Sequence, residues 1–201
     1  MQNMTNTPPL ETARLTLRKF ASTDLEALYS IYSDVDVNVF LPWFPLKSLD
    51  EALMFFENKC AEAYRLSDEY YYAICLKSDN IPIGDIHISH SDSHDFGFCL
   101  KKEYWHKGIV AEAGRAVIEY LKTTAVPFIT ATHDVKNPRS GNVMKSLGMT
   151  YCYSYEEHWQ PKDILVTFRM YQLNLSDRKA DIYKEYWNDS KVHFVEDILC
   201  E

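Results

Sequence analysis

Between Asp95 and Ala113 the chain reads DFGFCLKKEYWHKGIVAEA, and this stretch restricts the possible folds more than any other. Phe96, Phe98 and Leu100 fall at every second position after the polar run Ser89–His94, the pattern of a strand. Lys101–Tyr104 breaks the alternation, and Gly108 follows inside a polar turn. From Ile109 onward Val110, Ala113, Val117, Ile118 and Leu121 keep helical spacing. A strand, a tight glycine turn and a helix aim free backbone N–H groups and the positive end of a helix dipole at one point. That point is an anion site suited to phosphate.

The rest of the chain supplies strands and helices around this unit. Leu15 and Leu17 alternate with polar neighbours in a first strand over Leu10–Phe20. Ser22 or Thr23 caps a helix whose apolar stripe is Leu25, Leu28, Ile31 and Tyr32. Asn38–Lys47 carries Pro42, Trp43, Phe44 and Pro45 and reads as a loop, either a pocket wall or a lid packed on the core. Ser48 and Glu51 form a capping box for a second helix with Leu49, Leu53, Phe56 and Cys60 as its buried face. Tyr70–Leu76 and Ile81–Ile88 are strands. Pro127–Thr132 is a shorter one, and Pro138 opens a helix that Gly148 ends. Thr150–Glu156 and Ile164–Leu175 form a final antiparallel pair. Beyond Leu175 two amphipathic stripes, one of Ile182, Tyr183, Tyr186 and Trp187 and one of Val192, Val195, Ile198 and Leu199, predict two short helices.

Trp105-His106-Lys107-Gly108-Ile109-Val110-Ala111-Glu112-Ala113 resembles the pyrophosphate-binding segment of the GNAT superfamily of N-acetyltransferases, of form Q/R-x-x-G-x-G/A. It is most similar to the branch that acetylates the N-termini of ribosomal proteins, W-G-x-G-x-A-x-E-A. His106 replaces that branch's glycine, and Val110 stands where the motif has glycine or alanine. Thr12–Arg18 resembles the branch's T-x-R-L-x-L-R opening. Asn137–Met149 resembles the second motif, N-x-x-S-x-x-V-x-x-x-x-G-F/M. The match runs from about Leu10 to Leu175.

The resemblance implies an α+β fold: a mixed, mostly antiparallel sheet of about seven strands with helices on both faces. It implies acetyl-CoA as cosubstrate, with no metal. The pyrophosphate would lie on Trp105, His106, Lys107, Gly108, Ile109, Val110 and Ala111. Asn137 would bond the pantetheine arm, and Ser140 would lie near the phosphates or the thiol. A splay between the fourth and fifth strands would leave backbone groups of Phe98, Cys99 and Leu100 unpaired. Such groups are costly when buried, and an extended pantetheine can satisfy them as an added strand.

Acetylation of an amine requires the ammonium to lose a proton. Asp95 is the first candidate base and Asp85 the second. Many superfamily members carry a tyrosine where this chain has Met144, one helical turn beyond Ser140, so no side chain is expected to be an obligatory acid for the leaving thiol. Ser140 at most positions the sulfur or a water. His90 and His94 have no evident third metal ligand, and Cys99 has no identifiable histidine partner.

At 201 residues the chain suits one domain, here 1–175, with a helical extension over 176–201 packed on it. A net charge of −8 disfavours nucleic acid and suits an amine-bearing small molecule or protein N-terminus. Five scattered cysteines and the lack of a membrane-length apolar run point to a cytoplasmic protein, monomer or homodimer, off the membrane. The function expected is acetyl transfer to an amine. A non-catalytic acyl-CoA-binding or sensing module is the alternative. A nucleotide binder is disfavoured because no G-x-x-x-x-G-K-S/T loop is present.

Overall fold

The computed structural model describes residues 6–176 and 180–197. Two antiparallel sheets make up the fold. The first runs β1 (Leu10–Glu11), β2 (Leu15–Arg18), β3 (Tyr70–Leu76), β4 (Pro82–Ile88) and β5 (Phe96–Leu100) in spatial order. The second has the order β6 (Phe128–Asp134), β8 (Ile164–Asn174), β7 (Thr150–Trp159) and β9 (His193–Phe194). The sheets touch through one parallel bridge, Asp95 to Thr130, reinforced by the Thr130 hydroxyl donating to Ser93 O at 2.9 Å. Beyond that bridge β5 and β6 diverge. The α+β architecture expected from the sequence is present, with the first expected strand divided into β1 and β2 by a turn at Thr12–Arg14.

Strand alternation separates the first sheet's side chains into two cores. Leu17, Tyr72, Ile74, Ile86, Phe96 and Leu100 pack against α4 (Ile109–Leu121), whose Ala113, Val117 and Leu121 are fully buried. Tyr71, Ala73, Cys75 and Cys99 face the other way, toward α1 (Leu25–Tyr32), the short α2 (Val35–Asn38) and α3 (Leu49–Phe55). Helices therefore cover both faces.

In α3 the buried stripe differs from the expected one. Ser48 accepts from Glu51 N–H at 3.2 Å as predicted, while the Glu51 carboxylate takes the Lys47 N–H. Leu49 and Leu53 are exposed; Cys60 is buried as expected, and Ala52 and Ala63 take the places of the two leucines. A π-helical turn over Phe56–Ala61 rotates the following residues, and Phe55 turns in against Tyr32 at 4.4 Å between ring centroids.

The second tail stripe also differs. Among the described residues of the tail only Glu185–Asp189 is helical (α6), and Val192 and Val195 flank β9, which pairs with β7. Ile198 and Leu199 lie outside the described residues. Pairing with β7 satisfies an edge that a helix would leave open. Tyr186 stacks on Tyr155 at 5.3 Å, Tyr153 donates to Tyr183 O, and Arg169 pairs with Glu196, so the tail is held along β7 and β8.

Candidate active site

The divergence of β5 and β6 opens a groove of about 200 Å³, walled by the turn before α4 and the start of α5 (Pro138–Ser146). The turn is left-handed at two places: His106 has φ 61° and Gly108 φ 69°. At Gly108 this conformation is cheap only without a Cβ. Glu112 N–H bonds Gly108 O at 3.0 Å, the first helical bond of α4. The N–H groups of Ile109, Val110 and Ala111 precede it and have no intrahelical acceptor. Their common direction and the helix dipole make this end of the groove an anion cradle.

The cradle is anchored from below. The Glu112 carboxylate accepts from Thr12 Oγ1 at 2.6 Å, Arg14 N at 3.0 Å and Arg14 Nε at 2.6 Å. These bonds hold Glu112's pKa below the usual carboxylate range, despite an opposing contribution from burial as the largest single influence.

Of the residues singled out in the sequence, Phe98, Cys99, Leu100, Trp105, His106, Gly108, Ile109, Val110, Ala111, Asn137 and Ser140 all line the groove. Lys107 does not; its ammonium lies 5.3 Å from the Tyr104 ring centre. The expected free backbone edge is narrower than predicted. Lys101 N–H bonds Ile83 O and Ser89 N–H bonds Asp95 O, so antiparallel alternation turns the Cys99 N–H and C=O toward β4. Phe98 and Leu100 turn theirs toward the groove, and the Leu100 carbonyl is already taken by Trp105 Nε1 at 2.8 Å. Asn137 occupies the position before α5, yet its side chain caps no backbone N–H; it donates to Ser140 Oγ at 2.9 Å. Met144, one helical turn beyond Ser140, does not line the groove; it is buried in the core.

Asp85, Asp95 and His87 lie on the opposite face, the one covered by α1 and α3. Asp85 is fully buried and accepts from the Tyr32 hydroxyl at 2.6 Å. His87 Nδ1 stands 3.5 Å from Asp85 Oδ1. Burial pulls the imidazole pKa down, but Asp85 and Asp95 outweigh it and leave the pKa raised. Asp95 Oδ1 is sealed from solvent and without a partner; burial, with Glu157 adding to it, pushes the carboxyl up to about 6. Over this face Lys162, at the β7–β8 turn, donates to Asn38 O at 2.6 Å, joining the 38–47 loop to the second sheet.

A family model described as an acetyltransferase (GNAT) domain matches residues 14–150. The chain belongs to the GNAT acetyltransferase family. A curated relative, the uncharacterized N-acetyltransferase YnaD of Bacillus subtilis (strain 168), is 28% identical over 144 residues, covering 70% of this chain and 81% of the relative. A GNAT-family acetyltransferase from Bacillus anthracis shares the fold with a TM-score of 0.73 at 23% identity, over 84% of this chain and 99% of that one. A spermidine N-acetyltransferase from Vibrio cholerae, solved with CoA and spermine, aligns with a TM-score of 0.68 at 15% identity, over 82% and 97% of the two chains.

In this GNAT domain, sequence reasoning missed three residues around the groove and the sheet. Arg139 lines the groove with its guanidinium 4.2 Å from the Trp105 ring centre, and its place two residues after the motif asparagine was a usable signal. Asp36 also lines the groove, paired with Lys102, and nothing local marked it. His87 is two residues from Asp85 on one strand, a spacing that alone puts both on the same face. Among the described residues no cluster of three metal-ligating side chains occurs and no helix is long and apolar enough to cross a membrane. His90 pairs with Asp68, and His94 packs edge-on to Phe128.

Proposed function

We propose that this GNAT domain, residues 1–175, transfers the acetyl group of acetyl-CoA directly to an amine. The observation that carries the reading is the convergence on one groove of the left-handed turn at Gly108, the unbonded N–H groups opening α4, the Phe98 backbone on the free edge of β5, and Asn137 with Ser140. Backbone donors at the turn suit a pyrophosphate, and the β5 edge suits an extended amide chain. The Phe98 N–H is aimed where the acetyl carbonyl would lie, and such a donor is typically worth ~2.7–4 kcal/mol at the transition state.

The acceptor enters from the α1/α3 face, where Asp95 contributes to its deprotonation. Ionised above a pKa of about 6, Asp95 lends a negative charge that stabilises a proton taken up beside it. The net charge of −8 favours a cationic acceptor, and the Vibrio cholerae relative carrying spermine makes a polyamine or a protein N-terminus the first substrates to try. Cys60, Cys75, Cys99 and Cys152 are free thiols, which suits work in the cytoplasm.

The test is thiol release from acetyl-CoA, followed with a thiol reagent, against spermine, other primary amines and peptides beginning with alanine or serine. Release dependent on one class of amine supports the reading. Binding of CoA with release from no amine favours the sensing module instead.

A further inference from the structure

We infer that His87, oriented by Asp85, is the group that takes the proton from the acceptor amine. The inference rests on the acetyltransferase reading above and adds a catalytic residue to it. Three features of the α1/α3 face lead to it. First, His87 Nδ1 and Asp85 Oδ1 are both sealed from solvent and have no partner except each other, 3.5 Å apart. Second, Asp85 has no exposed side-chain surface while 33% of the His87 side chain remains open, so one edge of the imidazole is buried against a carboxylate and the other faces outward. Third, the ring is fixed: Tyr71 stacks on it at 5.3 Å with planes 15° apart, and Tyr32 holds the other Asp85 oxygen at 2.6 Å.

Gly97 makes the room for this ring. A Cβ there would stand 2.2 Å from His87 Cε1 and 2.3 Å from Nε2. The outward edge therefore lies directly over β5, one residue before Phe98, whose N–H faces the groove. A neutral imidazole with its proton on Nδ1, toward Asp85, presents a basic Nε2 lone pair at that place.

The step balances without another reagent. R–NH3⁺ gives one proton to His87 Nε2, and the resulting imidazolium is stabilised by Asp85 and by the charge of Asp95. The amine nitrogen then bonds to the acetyl carbon as the carbon–sulfur bond breaks. The nitrogen's second proton goes to the leaving thiolate, giving CoA–SH and the amide, and His87 returns its proton to solvent through its open edge. Facing this pair are Tyr71 from β3, Tyr32 from α1, Asp95 just before β5, Cys99 from β5, Cys60 and Lys59 from the π-helical turn, and Glu69 at the entry to β3.

The test uses the full chain with acetyl-CoA and spermine, or an alanine-initiated peptide, over pH about 5.5 to about 9. His87→Gln is expected to lower kcat/KM by roughly 10²–10⁴-fold near neutrality, the range for general base catalysis, with CoA affinity unchanged. The deficit should shrink toward high pH, where the amine sheds its own proton. Asp85→Asn should move the acid limb of the kcat/KM profile to lower pH, and NMR titration of the His87 ring should show the same fall. A His87→Gln enzyme within about threefold of the parent, with an unmoved acid limb, overturns the inference. If Asp85→Asn does not fold, His87→Gln and the parent's ring titration decide alone. If the parent binds CoA yet acetylates no amine, the acetyltransferase reading fails separately. The ring titration still reads the pair: an imidazole at or below its ordinary pKa overturns it.

Discussion

The guanidinium carbon of Arg139 lies 4.2 Å from the centre of the Trp105 ring, joining the start of α5 to the turn that opens α4. These are the two walls of the groove, and no backbone hydrogen bond between described residues links them directly. A cation–π contact of this kind is worth about 0.5–1 kcal/mol at an exposed site. Arg139→Ala should therefore weaken CoA binding by about two- to fivefold from this contact alone, and by more if the charge also meets a phosphate. Calorimetric titration with CoA measures it, and an unchanged affinity would show that the contact does not shape the groove.

Gly108 gives a sharper test of the anion cradle. Valine at φ 69° is strained by roughly 1–2 kcal/mol, and its branched Cβ would turn the α4 N–H groups away from their common direction. Gly108→Val should melt earlier and lose most of the CoA-dependent rise in Tm that ligand binding to the folded state produces. Retention of the full rise would remove the turn from the site.

Asn137 and Ser140 act as a pair, since the amide's 2.9 Å bond to Ser140 Oγ is lost in Ser140→Ala. The hydroxyl is a poor acid, and a thiol with a pKa of ~8.5 leaves tolerably as thiolate near neutrality. Turnover in Ser140→Ala should fall about tenfold or less, below the usual range for loss of a general acid. A loss of several thousandfold with CoA binding intact would make Ser140 catalytic in its own right. Met144→Tyr is expected to destabilise the domain without aiding catalysis, because Met144 is buried in the core.

The role proposed for Asp95 would set stability against activity. Its pKa of about 6 lies above the ordinary carboxylate value of ~3.9, so the folded state holds the proton more tightly than the unfolded chain. Stability therefore declines as pH rises through that interval and stays lower above it. Asp95→Asn should raise Tm at neutral pH, leave it nearly unchanged near pH ~4, and still lower turnover. Thermal melts of both proteins across pH, paired with rates, check the opposition.

Glu112 has the reverse sign. Its folded pKa is depressed, so its stabilisation is fully present above the unfolded value of ~4.3 and is lost as pH falls through the folded one. Glu112→Gln should lower Tm at neutral pH, and the gap from the parent should close as the solution is acidified below pH ~4. A constant gap would assign the effect to lost hydrogen bonds to Thr12 and Arg14 rather than to charge.

Local chemistry made the glycine turn before α4 legible in the sequence. A glycine at φ 69°, an alternating run before it and a helical stripe after it are each determined by residues within a few positions of one another. The same holds for Ser48 as a cap and for the spacing that places Asn137 beside Ser140. What tertiary structure decided was register and facing. Antiparallel pairing set Asp85 opposite Cys99 and His87 opposite Gly97, which alone leaves room for the imidazole. It also turned the Cys99 backbone away from the groove that its neighbours edge. The α3 stripe moved because a π-helical turn and the Tyr32–Phe55 contact outweighed the 3.6-residue period. Val192 and Val195 flank a strand because β7 offered an unpaired edge, and an edge twenty residues or more away leaves no mark on local periodicity.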